Sequence, residues 1–490
     1  MTATPTDSSF NQAHRTRHFN WGLFFFLSAF IVIALLTLFP YQVLPAETRM
    51  NRQGPFWLWL FEKHPSRLNM LANVLLFVPF GFGLGWWIGK TLDWTKALAL
   101  TCAAGFAFSI SIELTQTFMP TRTSSWYDVL TNTAGGPIGW VMFRIFGDRL
   151  AQRFSSCMDA ILGRLNARLA VGFFFFYAIA GIAASIPLSR MAMLSAWDGN
   201  YPLFVGKSPT ESRAWRGKVS EISIADRYVS FAEASRVFSD GPAAVLGERL
   251  VASYKPAGAG LLGYESSPRN NALAKRIRDT NQFTLYVVCE PSQPIQPVVS
   301  SMVMFGSDTH HANFTLDQYY AYILFRFRTR LADHNGNLPE YRRAGVLNSE
   351  GAHKLLFTFD GATLHFYADG KPAGPPMELG PGAAFFRRFF YLKQLHTPGF
   401  RTLYCGLLFA PLGCALAFAA TWGRPSWARV ACGLLLPSAL LEPVLAATSH
   451  RPFYAENLLL GVAISLGGFV MVRLCSLRWQ NAPREAPAGE

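Results

Sequence analysis

Charge is scarce in this chain. Only 15% of its 490 residues are Asp, Glu, Lys or Arg, against about a quarter in soluble domains. Organised cysteine is missing as well. The seven Cys are scattered, with no CxxC and no Cys/His cluster. That excludes a disulfide framework and a zinc site of the usual spacing. There is no phosphate-cradling glycine loop and no Ser/His nucleophile arrangement, so the reading leans away from an enzyme. No metal and no cofactor is expected. Basic and aromatic residues do not interleave along one stripe, which argues against a nucleic-acid partner despite a net charge of +14.

Apolar sequence is what the chain has in excess. Hydrophobic residues make up 51% of it. The length alone would suit about three soluble domains. The apolar residues instead collect into runs of about 18–22, the length that crosses a bilayer as a helix. Eight such spans are visible: Trp21–Phe39, Asn69–Gly89, Lys96–Phe118, Asp128–Phe146, Leu169–Pro187, Leu403–Thr421, Trp427–Ala447 and Asn457–Cys475. The expected fold class is a multi-pass α-helical membrane protein of about 8 transmembrane helices with an inserted all-β sandwich. The first run follows the basic "HRTRH", but it is long for a signal segment and lacks a small-residue cleavage site; an uncleaved first helix is the better reading. Residues 1–20 and 476–490 are polar and read as disordered tails.

Between residues 195 and 381 the long runs stop. Short alternating segments replace them: "KVSEISIADR", "NQFTLYVVCE", "AYILFRFRTR" and "HKLLFTFDGATLHFYADGK". Period-2 patterning with β-branched and aromatic residues predicts strands. The Asp-Gly pairs in the last segment predict hairpin turns. The loops 306–314 and 331–341 could form a binding face. Asp308, His310 and His311 are metal-ligand residue types, but ordinary solvated loop chemistry is the favoured reading, and Asn313 in "NFT" is a formal glycosylation sequon placed at the start of a strand.

Lys and Arg fall mostly in alternate loops. One set holds Arg15 and Arg17; Lys90 and Lys96; Arg144, Arg149, Arg153, Arg164 and Arg168; Arg424 and Arg429; Arg473 and Arg478. The other is poorer, apart from Arg49, Arg52, Lys63 and Arg67. Basic loops stay cytoplasmic. Both termini are therefore expected inside and the β domain outside, in the inner, or cytoplasmic, membrane.

Polar residues inside the runs form stripes. Ser109, Glu113 and Gln116 share one face of the third span. Asp128, Asn132, Gly135 and Gly139 share one face of the fourth, where Gly135 and Gly139 make a G-x-x-x-G pair suited to close helix packing. Asn69, Asn73, Gly81 and Gly85 repeat at fours on the second span, which Pro79 should kink. The simplest packing turns the three stripes toward one another. A carboxylate at membrane depth is costly and usually paired. Arg122, in the connection between the spans, can reach Glu113 or Asp128. Glu113 and Asp128 are also the candidates for acid/base work, should there be any.

These residues carry a resemblance. "ANVLLFVPFGFGLG" followed by "SIELTQTFMPTRTSSWYDVLTNTAGGPIG" is similar to the VanZ-like membrane protein family. That pattern has an Asn and P-F-G on one helix, then I-E-x-x-Q, an Arg, an Asp and N-x-x-G-x-x-x-G. Here they are Asn73, Pro79 to Gly81, Glu113, Gln116, Arg122, Asp128, Asn132, Gly135 and Gly139. The resemblance covers about residues 21–190, five helices, and implies a cell-envelope setting; the founding member is associated with low-level teicoplanin resistance. It names no reaction.

Two further likenesses follow. "CGLLFAPLGCALAF" echoes "NVLLFVPFGFGLG", and Glu442 precedes Arg451 by the nine residues that separate Glu113 from Arg122. Asn457, like Asn132, precedes a glycine-rich helix. Residues 403–475 thus read as a degenerate VanZ-like repeat that has lost the Gln and the G-x-x-x-G. The insert resembles laminin-G-like, concanavalin-A-like jelly rolls, with the "YPLFVG…WRGKVSEISIADR" segment first instead of last. It reads as circularly permuted. The resemblance to such folds implies recognition of glycan or protein. The expected function is an envelope membrane protein whose β module recognises glycan or another envelope component and whose helical core holds an amphiphile. The alternatives are a membrane hydrolase or transferase using Glu113 and Asp128, and a non-catalytic scaffold for the β domain. The expected partners are the lipid bilayer and a glycan or lipid-linked ligand.

Overall fold

A computed structural model describes residues 19–41, 66–89, 91–119, 124–206, 214–255, 260–263, 268–308, 310–331, 339–390, 399–423 and 426–476. Both expected tails (apart from Phe19, Asn20 and Ser476), Arg122 with Pro120, and most of the 331–341 loop lie outside the described residues, as do Arg15, Arg17, Arg49, Arg52, Lys63, Lys90, Arg424 and Arg478.

The N-terminal part is helical: α1 (Trp21–Leu38), α2 (Arg67–Ile88), α3 (Trp94–Gln116) and α4 (Trp126–Met142). Helix α4 runs through a π turn at Phe143–Gly147 into α5 (Asp148–Arg164), and α6 (Ala167–Arg190) follows. Polar side chains start several of them. Asn20, Ser66 and Asn166 accept the N–H of Leu23, Asn69 and Leu169, satisfying donors that a helix start leaves free. After the β domain come α10 (Pro381–Phe390), α11 (Gly399–Gly423), α12 (Trp427–Ser449) and α13 (Ala455–Ser476).

Among the described residues, seven helices are long and apolar enough to cross a membrane: α1, α2, α3, α6, α11, α12 and α13. The expected fourth span is a helix, but α4 has only 17 residues and carries Asp128, Asn132 and Pro137, so it falls outside that set. Helix α5 occupies the basic stretch between the expected fourth and fifth spans, where a loop is expected. Its exposed Leu150, Phe154 and Ile161 alternate with arginines, giving an amphipathic rod. Phe173, Phe175, Phe176 and Ile179 on α6 stand exposed. Water would penalise such a surface; a bilayer accepts it.

The insert is two antiparallel sheets over one core. Strands β1 (Leu203–Val205), β4 (Gly260–Gly263), β6 (Gln296–Gly306), β7 (Ala312–Tyr320), β8 (Tyr322–Phe327) and β9 (Glu340–Ala344) form the first, in order β4-β1-β6-β7-β8-β9. The second runs β12-β11-β10-β5-β2-β3, from β2 (Gly217–Ala225), β3 (Leu250–Tyr254), β5 (Phe283–Pro291), β10 (His353–Phe359), β11 (Thr363–Ala368) and β12 (Lys371–Pro372), with β13 (Met377–Glu378) beside β11. The four quoted segments supply β2, β5, β8 and the β10–β11 hairpin, which turns at Asp360-Gly361 with Gly361 at φ +102°. Phe305, Phe314 and Phe325 of one sheet meet Leu285, Phe357 and Phe366 of the other.

The domain is not all β. It also carries α7 (Phe231–Asp240), α8 (Pro242–Leu246) and α9 (Pro268–Thr280). Strand alternation masked α7, yet its signals are local. Ser230 and Glu233 make a reciprocal capping box, and Ala234 and Val237 bury one face.

The helix ends sort into two groups. Gln116 Nε2 donates to the Thr37 carbonyl at 2.8 Å, joining the ends of α3 and α1. Asn73 and Asp128 bring the starts of α2 and α4 to the same end. The β domain also stands there. Asn281 accepts the Leu194 N–H and donates to the Ser449 carbonyl, both at 2.8 Å. Phe39 after α1 packs on Phe400 of α11, ring centres 5.3 Å apart. At the opposite end the Asn20 N–H donates to the Cys475 carbonyl at 3.0 Å, and Trp21 Nε1 donates to Asp159 of α5 at 2.9 Å.

Candidate functional site

Helices α2 and α4 meet without spacers. A Cβ on Gly81 would run into the carbonyl of Gly136; one on Gly135 or Gly139 would run into those of Val74 or Val78. Close backbone approach of this kind is what small residues at membrane helix interfaces permit. Pro79 lies inside α2, one turn from Phe82 at the same contact.

This approach brings the polar stripes together. Asn73 Nδ2 donates to Asp128 Oδ1 at 2.8 Å. Asn132 Nδ2 donates to Ser109 Oγ at 3.0 Å, both residues being buried. Glu113 is buried on α3; its Oε2 accepts the Ser125 N–H at 3.0 Å, and its carbonyl accepts the Ser124 hydroxyl at 2.8 Å. Gln116 turns away to α1. The Asn132 Oδ1 and the Ser125 hydroxyl are buried with no partner among the described residues. A buried polar atom left so costs about 1–3 kcal/mol. The corner therefore has unused hydrogen-bonding capacity at the end of the bundle nearest the β domain.

Residues 6–147 match the family model described as VanZ/LLP1. The N-terminal helices are therefore similar to that family. The match takes in α1 to α4 and the whole polar corner, and stops before the β domain. No curated protein and no solved structure matches the chain.

A second polar corner lies outside the VanZ-like match. Glu442 on α12 is buried and takes four donors. Arg451 Nη1 and Nη2 reach its two oxygens at 2.7 and 3.0 Å, the Tyr454 N–H reaches Oε1 at 2.9 Å, and Asn457 Nδ2 reaches Oε2 at 3.1 Å. The spacing parallels the first corner. Tyr454 follows Glu442 by twelve residues, as Ser125 follows Glu113, and each gives its backbone N–H to that glutamate. Asn457 stands fifteen residues after Glu442, the place of Asp128 after Glu113, not that of Asn132. Gly413 abuts the Ser465 carbonyl as Gly81 abuts that of Gly136. The Glu442–Arg451 interval is legible in the sequence; that Tyr454, just before α13, and Asn457, in its first turn, also donate to Glu442 is not.

The β-domain candidates separate. Asp308 accepts the backbone N–H of His310 and His311, at 2.7 and 2.8 Å, and pairs with the His311 ring at 2.8 Å. The described residues hold no group of three or more His, Cys, Asp or Glu fit for a metal. Asn313 is buried, and its Nδ2 donates to the Asp198 carbonyl at 2.7 Å, so it is closed to glycosylation. One arrangement escaped the sequence reading. Ser349, His353 and Asp369 line up, with Ser349 Oγ 3.3 Å from Nε2 and Asp369 2.9 Å from Nδ1. The Ser349 carbonyl is closer to Nε2, at 3.0 Å. The imidazole bridges a loop and a strand end; it does not activate the hydroxyl.

Proposed function

We propose that this is a cell-envelope protein of the cytoplasmic membrane, with an amphiphile-binding VanZ-like corner on its outer side. Both termini are cytoplasmic and the permuted jelly-roll domain is external. Helix α4 completes eight spans, since it must return the chain to the end where Asn20 meets Cys475. Helices α6 and α11 to α13 form a second, degenerate VanZ-like unit, in the same orientation as α1 to α4. The β module recognises glycan or a related envelope component, and the corner takes the polar head of an amphiphile whose tail stays in lipid.

One contrast carries this reading. In the second unit four donors fill the Glu442 carboxylate, the Arg451 guanidinium giving two of them. In the first, among the described residues, the Glu113 carboxylate takes the Ser125 N–H, and Asn132 Oδ1 and the Ser125 hydroxyl have no partner. Arg122 follows Glu113 by the nine residues that separate Arg451 from Glu442, and would supply a cation for an anionic or polar head. The hydrolase or transferase reading is weaker, because Asp128 already accepts from Asn73.

The test is complementation of a deletion strain by Glu113→Gln and Arg122→Ala. Variants that insert, fold and restore full glycopeptide tolerance and envelope integrity would refute the site. Loss of both with normal protein levels is the expected result. Altered stability with an intact phenotype would favour the scaffold.

A further inference from the structure

A cavity of about 60 Å³ lies where the β domain meets the C-terminal helices. Thr363 and Glu378 line it from the β side, and Arg401, Arg451, Tyr454 and Asn457 from the helical side. Three of the buried polar atoms without a partner among the described residues belong here: Arg401 Nε, Arg451 Nε and Asn457 Oδ1. The Arg451 side chain is only 2% exposed. The Asn457 amide is oriented by its Nδ2, which donates to Glu442, so its oxygen is a true unused acceptor. Native interiors rarely leave such atoms bare, and three around one cavity point to an absent partner.

The balance of charge restricts what that partner is. Arg451 is neutralised by Glu442. Arg401 lies between Glu378 and Glu456, at 3.6 and 3.1 Å. No net positive charge is left to draw an anion. The need is for a group that accepts from two guanidinium N–H donors and donates to an amide oxygen. Vicinal hydroxyls do both at once. Phe400 and Tyr454, also in the lining, offer an apolar ring surface for a C–H face.

We propose that this joint is a saccharide or polyol subsite, with Arg401 and Arg451 donating to adjacent hydroxyls and Asn457 accepting from one of them. The assignment rests on the reading of the β domain as glycan-recognising, and gives that recognition a location. The site is shared by the two domains. A bound sugar edge would therefore also tie the sandwich to α12 and α13, where Tyr454 donates to Asp360 at 2.7 Å.

The full-length protein in lipid nanodiscs is examined by saturation-transfer NMR with glycerol, methyl glucoside, methyl galactoside, N-acetylglucosamine, inorganic phosphate and acetate. Two variants accompany it. Arg401→Lys keeps the cation between Glu378 and Glu456 but removes the Nε–H. Gly380→Leu places a side chain at the cavity lining, where a Cβ meets no atom within 4 Å. At least one saccharide should bind, and each variant should weaken it about tenfold, the scale of one hydrogen bond to a charged donor. Saccharide binding that both variants leave unchanged would overturn this site while the glycan reading stands. No saccharide binding at all would remove both. Preference for phosphate or acetate would overturn the hydroxyl assignment. If Gly380→Leu misfolds, Arg401→Lys decides.

Discussion

Arg451 forks onto Glu442, its two terminal nitrogens at 2.7 and 3.0 Å from the two carboxylate oxygens. The side chains are 2% and 3% exposed. Removing one member strands the other in a low-dielectric interior. Glu442→Leu and Arg451→Leu should each destabilise the protein by about 3–5 kcal/mol, and the double variant should recover much of that loss. Thermal or denaturant unfolding in detergent measures it. Strictly additive losses would mean that the pair is not coupled.

The α2–α4 contact is set by missing side chains. Gly81→Ala and Gly139→Ala drive a methyl into a backbone carbonyl that cannot retreat, and each should cost about 1–3 kcal/mol. Gly105→Ala is the control, since its Cβ would meet only the Thr133 carbonyl, at 3.8 Å. It should be neutral, or stabilising by about 0.5–1 kcal/mol through helix propensity. Equal effects at all three positions would refute close packing as the cause.

Asn281 and Tyr454 join the β domain to the helices. Asn281→Ala strips a buried bridge between the Leu194 N–H and the Ser449 carbonyl. Tyr454→Phe leaves the Asp360 carboxylate without that donor. Each should cost about 1–3 kcal/mol and loosen the joint. Faster cleavage by protease between α6 and β1, with the helical core intact, is the expected readout.

Arg227 holds the Glu233 carboxyl down to about 2, aided by the Ser230 cap and opposed by partial burial. The folded value lies below the ordinary one, so the stabilisation is full above about pH 4.5. It is lost as pH falls through about 2. Glu233→Gln should therefore lower the unfolding midpoint at pH 6, and the gap from the parent protein should shrink steadily toward pH 2. A gap independent of pH would assign the effect to packing.

Cys157 is exposed on α5, at the end where Asn20 meets Cys475. In a background with Cys157 as the sole cysteine, a membrane-impermeant maleimide should label it only after the membrane is opened. Ser239→Cys on α7 should label in intact cells stripped of any outer barrier. The reverse pattern would invert the proposed topology.

The sequence by itself determined the class of this protein and the stripes of its VanZ-like core. Hydrophobic runs and period-2 segments are local signals, and spacing alone places Ser109 with Glu113 and Asp128 with Asn132 on their helix faces. It did not determine that α7 interrupts the strands, or that α4 falls short of the other apolar helices. Both depend on short segments whose polarity and caps compete with the larger pattern. Above all, only the tertiary structure decided which polar groups meet. Glu442 gathers a guanidinium, a backbone N–H and an amide from a turn and a neighbouring helix, whereas Asn132 Oδ1 and Arg451 Nε find no partner among the described residues. Hydrogen-bond satisfaction is a property of atoms brought within about 3 Å, and no periodicity along a chain encodes it.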